Sequence, residues 1–394
     1  MKNHLVFNTE SLRLYLKMQK PTAIVFGSYL PSVINFRKPL LTALQAIGYK
    51  VIALAPGNDE ATEKTLGDLN VDFIQVPLGR TGFNPHQDYK TLQFLKKLFK
   101  ELQPEVVITY TIKPNIYGSW AAKSLKNAKV LAWITGLGYV GMEADTFKRK
   151  LVRSVIFRLY KKAFSKLPFI AFQNPDDQQF FKQHNLLRSH TAQTITAGSG
   201  VDLIHYPKAD PQVSPIKFLL IARLIGAKGV NEYLAAAKII KKIHPEVIFQ
   251  LIGMTDEGNP DSLEEKELNE LHEQGIIEYL GFQSDVRKYL SECSVFVLPS
   301  YYREGTPRTI LESLAMGKPI ITTDNPGCRE TIDGDKNGYL IPVKDAKELV
   351  TAMKSFIEDP ALIEKKGEES YRLAVEKYDV HKVNEHLFEF MRIL

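Results

Sequence analysis

Two glutamates, Glu304 and Glu312, stand eight positions apart in the stretch Pro299-Ser300-Tyr301-Tyr302-Arg303-Glu304-Gly305-Thr306-Pro307-Arg308-Thr309-Ile310-Leu311-Glu312. The stretch follows the apolar run Val295 to Leu298 and enters a helical pattern carried by Ile310, Leu311 and Leu314, so it reads as a loop feeding a helix N-terminus. Such a terminus offers unpaired backbone N–H groups and partial positive charge, and Gly305 lets the main chain come close to an anion. A diphosphate suits this place, with the two carboxylates about two helical turns apart. The plainer alternative is a pair of solvated glutamates at a helix end, since short motifs recur by accident.

A second stretch, Ile221-Ala222-Arg223-Leu224-Ile225-Gly226-Ala227-Lys228-Gly229, also leaves an apolar run and precedes a helical pattern. Arg grips phosphate oxygens in a fork and Lys brings a compact charge, so Arg223 and Lys228 suit the negative charge that builds on a departing diphosphate. Read alone, they are a solvated arginine and lysine.

The elements that must hold these residues repeat a βα alternation. Short apolar runs at Ala23 to Phe26, Val51 to Ala55, Val71 to Val76, Val106 to Tyr110, Val130 to Ile134 and Ile170 to Phe172 alternate with helical patterns, as in a parallel sheet covered on both faces. The proline-bearing stretch from Tyr206 to Pro215 reads as a linker. A second series follows at Phe218 to Ala222, Ile248 to Ile252, Ile277 to Leu280, Val295 to Leu298 and Pro319 to Thr322, without a sequence repeat. The expected fold is α/β, with two doubly wound Rossmann-like domains whose strand ends face a common cleft.

With the seven residues between them, Glu304 and Glu312 resemble the Glu-x7-Glu motif of the family-four retaining glycosyltransferases of GT-B architecture, and Arg223 and Lys228 are similar to that family's Arg-x4-Lys pair. The resemblance implies that Glu304, Arg223 and Lys228 are catalytic. It places Glu304 on the donor sugar's hydroxyls, Glu312 on the ribose, and the amides of Gly305, Thr306 and Pro307 on the phosphates, with Arg308 in the same donor set. Gly281-Phe282-Gln283-Ser284-Asp285-Val286 resembles the family loop that receives the nucleobase, with Phe282 lining that pocket or completing the core.

The resemblance runs from about Ala23 onward and is nearest to enzymes that extend undecaprenyl-diphosphate-linked sugars in capsule, O-antigen or protein-glycan assembly. It is carried by Asn35-Phe36-Arg37, Thr111-Ile112-Lys113-Pro114-Asn115, Thr135-Gly136-Leu137-Gly138-Tyr139, Phe172-Gln173-Asn174, Gly198-Ser199-Gly200-Val201-Asp202 and Pro326-Gly327-Cys328-Arg329-Glu330-Thr331. It implies an acceptor site at Gly27, Ser28, Asn35, Arg37, Lys113, Asn115, Thr135, Gly136 and Asn174, with the Gly27 and Ser28 amides facing the cleft and Lys113 and Arg37 neutralising an acceptor diphosphate. It implies an acceptor domain over 1–208 completed by a helix at 379–394, and a nucleotide-sugar domain over 209–378. The substrates expected are a UDP-sugar, as an N-acetylhexosamine donor, and the lipid-linked acceptor, with no metal and no cofactor. Many relatives carry a histidine after the strand matched by Val130 to Ile134; this chain has Thr135-Gly136 there.

Phe147 to Lys166 holds Lys148, Arg149, Lys150, Arg153, Arg158, Lys161, Lys162 and Lys166 without an acidic residue, over apolar Val152, Val155, Ile156, Leu159 and Ala163 at helical spacing. The segment is either a solvated helix or a face for anionic headgroups, where each cation contributes ~1 kcal/mol. No nucleic-acid module accompanies it.

At 394 residues the chain is too long for one ordinary core, and its net charge of +6 is mild. Cys293 and Cys328, its two cysteines, exclude a disulfide scaffold and have no metal or redox spacing. Lys2, His4, Glu10, Arg13 and Lys17 interrupt the first twenty residues, against an export signal, and no run reaches the ~18 apolar residues of a membrane span. A cytoplasmic enzyme at the inner membrane face is the expectation. Asp333-Gly334-Asp335 superficially matches the Asp-x-Asp of metal-dependent transferases, but Lys336-Asn337-Gly338 after it makes it a turn. A non-hydrolysing nucleotide-sugar epimerase and a non-catalytic sugar-nucleotide binder remain open, because fold does not fix function.

Overall fold

The computed structural model describes residues 20–394 apart from 80, 81, 83, 142–146, 257 and 260. The reading of the first twenty residues as lacking an export signal falls, but for Lys20, outside the described residues.

Among the described residues, Thr22–Phe26 (β1), Lys50–Ala55 (β2), Asp72–Gln75 (β3), Val106–Tyr110 (β4), Lys129–Ile134 (β5), Phe169–Phe172 (β6) and Ala192–Ile195 (β7) form one parallel sheet in the order β3-β2-β1-β4-β5-β6-β7. Lys217–Ile221 (β8), Ile248–Ile252 (β9), Glu278–Tyr279 (β10), Val295–Leu298 (β11), Ile320–Thr323 (β12) and Gly338–Ile341 (β13) form a second in the order β10-β9-β8-β11-β12-β13. Both orders reverse beside their first strand, which opens a crevice beyond the strand ends. Central strands such as β1, β4 and β11 are apolar and buried on both faces, as parallel sheets require.

Helices complete the layers. Leu40, Leu41 and Leu44 of Leu30–Ala46 cover one face of the first sheet together with Val383, Leu387, Phe388 and Met391 of the last helix, Val380–Met391. Phe99, Tyr160, Phe164 and Phe181 fill the other face, each contributing ~2 kcal/mol or more of burial. Among the described residues the chain therefore crosses between the domains twice, and the crossings lie side by side: Val201 N–H donates to Tyr378 O at 2.7 Å and Val380 N–H to Val201 O at 3.0 Å. The proline stretch lacks regular structure from Lys208 to Ser214 and runs over the second domain, where Ala209 N–H donates to Met316 O at 3.2 Å and Lys318 Nζ to Asp210 O at 3.2 Å.

Sequence expectation missed β7, whose Gln193 and Thr194 interrupt the apolar pattern. Among the described residues it is an edge strand paired with β6 alone, and it buries less surface. Asp333-Gly334-Asp335 is a turn, with Asp333 Oδ2 held by Lys336 at 3.0 Å and Arg372 at 3.1 Å. Cys293 and Cys328 are wholly buried, which pushes both thiols up to about 12. They belong to the core, not to redox chemistry.

Candidate active site

Glu304 leaves β11 on a loop, four residues before the helix Arg308–Ala315 begins. Its carboxylate is held from two sides: Lys228 Nζ lies 2.5 Å from Oε2, and the Ser300 hydroxyl donates to Oε1 at 3.0 Å. The side chains of Lys228 and Glu304 are 12% and 17% exposed, so the pair is screened from bulk water but open on one side. Arg223 lies farther out and pairs with Asp256 at 2.8 Å, where Asn259 also donates to Asp256. The Tyr302 ring lies beneath both cations, 5.6 Å from the Arg223 guanidinium and 5.5 Å from Lys228 Nζ. Two cations, a carboxylate and an aromatic floor thus gather at the ends of β8 and β11.

Glu312 is buried one helical turn inside Arg308–Ala315 and accepts from Arg308 Nε at 3.0 Å. Arg308 also donates to Gly200 O at 2.7 Å, which ties the helix Arg308–Ala315 to the first interdomain crossing. Burial first, and then the neighbouring Glu312 carboxylate, raise the Tyr206 hydroxyl's pKa.

The expected phosphate amides need correction. Gly305 N–H donates to Thr135 O at 3.2 Å, Thr306 N–H donates to Gln173 Oε1 at 3.2 Å, and Pro307 has no N–H. The amides that helix geometry leaves open at this terminus belong to Arg308 and Thr309. Phe282 is 66% exposed, so it does not complete the core.

Across the cleft lies a cavity of about 290 Å³ bounded by Ser28, Tyr29, Ser32, Phe36, Arg37, Tyr110, Thr111, Thr135, Gln173, Ser199, Thr306 and Arg308. Two cations line it: Arg308, which is paired with Glu312, and Arg37. The Arg37 guanidinium lies 4.6 Å from the Tyr110 ring centre and 4.2 Å from that of Trp133, donates to Phe36 O at 3.1 Å, and has an unpartnered Nε. Among the described residues no carboxylate pairs with it, and burial lowers its pKa to about 10. An uncompensated buried cation on a cavity is a place for an anion. Thr111 lines the same cavity with φ +70°, a conformation costly for a β-branched residue, and its hydroxyl donates to Ser28 Oγ at 2.9 Å.

Several expected acceptor residues do other work. Gly27 N–H donates to Leu54 O, continuing the β1–β2 ladder instead of facing the cleft. Lys113 pairs with buried Asp88 at 3.0 Å, so its charge is balanced within the domain. Asn115 is buried and bridges β4 to β5 by bonds with Thr109 Oγ1 and Trp133 O. Asn35 is exposed on its helix. Asn174 caps Pro175–Gln183 by accepting Asp177 N–H at 2.8 Å, and its Nδ2 reaches Glu304 O at 3.4 Å. Thr135 and Gly136 meet the Glu304 loop through their backbone.

Residues that sequence reasoning did not single out join the two domains here. Arg303 pairs with Asp177 at 3.4 Å and Arg329 with Asp176 at 3.2 Å. The Asp177 side chain is fully buried, and burial outweighs Arg303 to push its pKa up to about 7. The Asn-Pro-Asp-Asp run is a legible helix start, but its partners lie 126 and 153 residues away.

The basic segment forms the helix Phe147–Ala163. Tyr160 and Ala163 are buried and Ile156, Phe157 and Leu159 pack on the core, while Lys150, Arg158 and Lys161 are exposed beside exposed Phe147 and Leu151. Lys162 Nζ lies 4.4 Å from the centre of the Trp120 ring. The side chains of Lys148 and Arg149 lie outside what is described. Among the described residues, no helix is long and apolar enough to cross a membrane.

Residues 206–373 match the family described as "Glycosyl transferases group 1", and residues 32–174 match "Glycosyl transferase 4-like". The chain is 32% identical over 345 residues to the N,N'-diacetylbacillosaminyl-diphospho-undecaprenol alpha-1,3-N-acetylgalactosaminyltransferase of Campylobacter jejuni, covering 84% of this chain and 88% of that one. It is 26% identical over 350 residues to the UDP-Gal:alpha-D-GlcNAc-diphosphoundecaprenol alpha-1,3-galactosyltransferase of Escherichia coli, covering 82% and 87%. The structure of Anabaena Alr3699/HepE in complex with UDP-glucose superposes with a TM-score of 0.74 at 18% identity, over 94% of this chain and all of that one. The cleft, the paired sheets and these likenesses agree: the chain belongs to the group 1 glycosyl transferases and is a glycosyltransferase of GT-B fold.

Proposed function

We propose that this glycosyltransferase is metal-independent and retaining, and moves an N-acetylhexosamine from its UDP-sugar onto an undecaprenyl-diphosphate-linked saccharide at the inner face of the cell membrane. The observation that carries this reading is the placing of Lys228 and Glu304 as a 2.5 Å pair across the cleft from Arg37, a buried cation that no carboxylate among the described residues pairs with. Glu304 takes the donor sugar's hydroxyls. Lys228, Arg223 and the first amides of Arg308–Ala315 take the charge on the departing UDP. Glu312 takes the ribose and Phe282 lies at the base.

On the acceptor side, Arg37 takes an anionic group of the acceptor, with Ser28 and Thr135 beside it. The undecaprenol-linked substrates in the names of both curated relatives support a lipid diphosphate, and the N-acetylgalactosaminyl transfer named for the Campylobacter protein supports the sugar class. Exposed Phe147 and Leu151 among the cations of Phe147–Ala163 suit an anionic bilayer surface.

The test is product analysis with UDP-N-acetylhexosamines, each incubated alone and with a synthetic undecaprenyl-diphosphate-linked sugar. The expected products are UDP and an extended lipid, formed only when both substrates are present, with the anomeric configuration of the donor kept. An epimerised nucleotide sugar without acceptor, or an inverted linkage, sinks the corresponding part of the reading.

A further inference from the structure

The two residues after Glu304 are held by the opposite domain. Thr306 N–H donates to Gln173 Oε1 at 3.2 Å, its hydroxyl donates to Gln173 O at 3.3 Å, and Gly305 N–H donates to Thr135 O. The approach leaves no room for a side chain at Gly305, where a Cβ would lie 2.0 Å from Gln173 Oε1. Gly136, at φ +105°, is equally tight: its Cβ would lie 2.4 Å from Gly305 N. Gln173 and Thr306 are both buried.

The Glu304 carboxylate, by contrast, is set by Ser300 and Lys228 of its own domain. The reactive segment is therefore fixed at its carboxylate by one domain and at its following main chain by the other. It can take this shape only while the domains are together. Gln173 stands at the end of β6, across the cleft from the strand ends of β8 to β11, and meets the loop after β11 at Thr306.

We propose that Gln173 is a positioning residue for sugar transfer, coupling domain closure to the setting of Glu304 by accepting the Thr306 N–H. This rests on Glu304 acting on the donor sugar, as read above. Without that acceptor a buried N–H is left unpaired whenever the domains close, so closure no longer presents Glu304 in register. Nucleotide binding to the open C-terminal domain is untouched.

The experiment compares Gln173→Met, which keeps the volume but removes the acceptor, with Gln173→Glu, which keeps an acceptor oxygen at the same reach. Turnover is measured with UDP-sugar and lipid-diphosphate acceptor, UDP affinity by calorimetry, and folding by Tm. Gln173→Met should lower kcat roughly ten- to hundred-fold, the loss expected of one unpaired buried donor, with UDP affinity unchanged. Gln173→Glu should restore most of the turnover. Should methionine unfold the chain, Gln173→Asn withdraws the same oxygen by one methylene and carries the same expectation. Wild-type kcat in Gln173→Met, a parallel loss of UDP affinity, or a Gln173→Glu no better than Gln173→Met overturns the proposal. Glu304→Gln assayed alongside separates the two ideas: its normal turnover would sink the donor-site reading, whereas an inactive Glu304→Gln with a fully active Gln173→Met refutes this inference alone.

Discussion

Lys228 Nζ lies 2.5 Å from Glu304 Oε2 and joins the loop after β8 to the loop after β11 across 76 residues of sequence. Touching groups do not act additively. Glu304→Gln should keep the fold and most nucleotide affinity while losing transfer, and Lys228→Ala should cost at least ~2 kcal/mol of transition-state stabilisation. The double variant should lose less than the sum of the two. Steady-state kcat/KM for the three proteins checks this, and strict additivity refutes the coupling.

Arg37 offers a test in which stability and activity part company. Burying a cation that no described carboxylate balances costs folding free energy, so Arg37→Met, similar in length and apolar, should leave Tm unchanged or raise it. Transfer to the lipid-diphosphate acceptor should nevertheless fall, with acceptor KM rising at least ~10-fold for one lost charge-assisted contact. A lower Tm with an ordinary acceptor KM would make Arg37 a packing residue.

Asp177 ties stability to pH. Its folded pKa of about 7 lies above the ordinary carboxylate value, so between ~4 and about 7 the folded chain binds more protons than the unfolded one. The contribution is present at low pH and lost as pH rises through that window, with a slope of at most ~1.4 kcal/mol per pH unit. Asp177→Asn should remove this component, so the wild-type minus variant difference in denaturant stability should decline from pH 5 to pH 7.5. A flat difference shows that Arg303 compensates the buried charge fully.

In the proposed reading, protein cations take the charge that other transferases place on a metal. Transfer should therefore persist in EDTA, and Arg223→Ala should lose at least ~2 kcal/mol in kcat/KM. Its Tm should barely move, because the Arg223–Asp256 pair is half exposed. An absolute Mg²⁺ or Mn²⁺ requirement defeats this assignment of charge.

The helix Phe147–Ala163 should bind anionic liposomes in a salt-sensitive way, since exposed charges are screened over ~8 Å at physiological ionic strength. Reversal of exposed Lys150, Arg158 and Lys161 to glutamate should abolish sedimentation with vesicles and slow transfer to lipid acceptors, but not to a short soluble analogue. Unaltered sedimentation leaves a solvated helix.

The sequence by itself determined the strands of both sheets' interiors and the Glu304–Glu312 motif. Those strands are continuous apolar runs and the motif lies within fourteen residues, so both are local in the chain. It could not mark β7, where an edge position relaxes the apolar pattern. Through the family resemblance it also offered Lys113 and Asn115 as acceptor ligands. Only the tertiary structure supplied Asp88 for the one and Thr109 and Trp133 for the other. Arg37 shows the reverse: its type suggested an anion, and burial between two rings, with no carboxylate among the described residues to pair with it, gave that suggestion its physical force. Gln173 was invisible to spacing, because its bond to Thr306 spans 133 residues and exists only where two separately folded sheets meet. Periodicity encodes which face of an element is apolar, whereas a hydrogen bond across a cleft depends on how the packed domains come together.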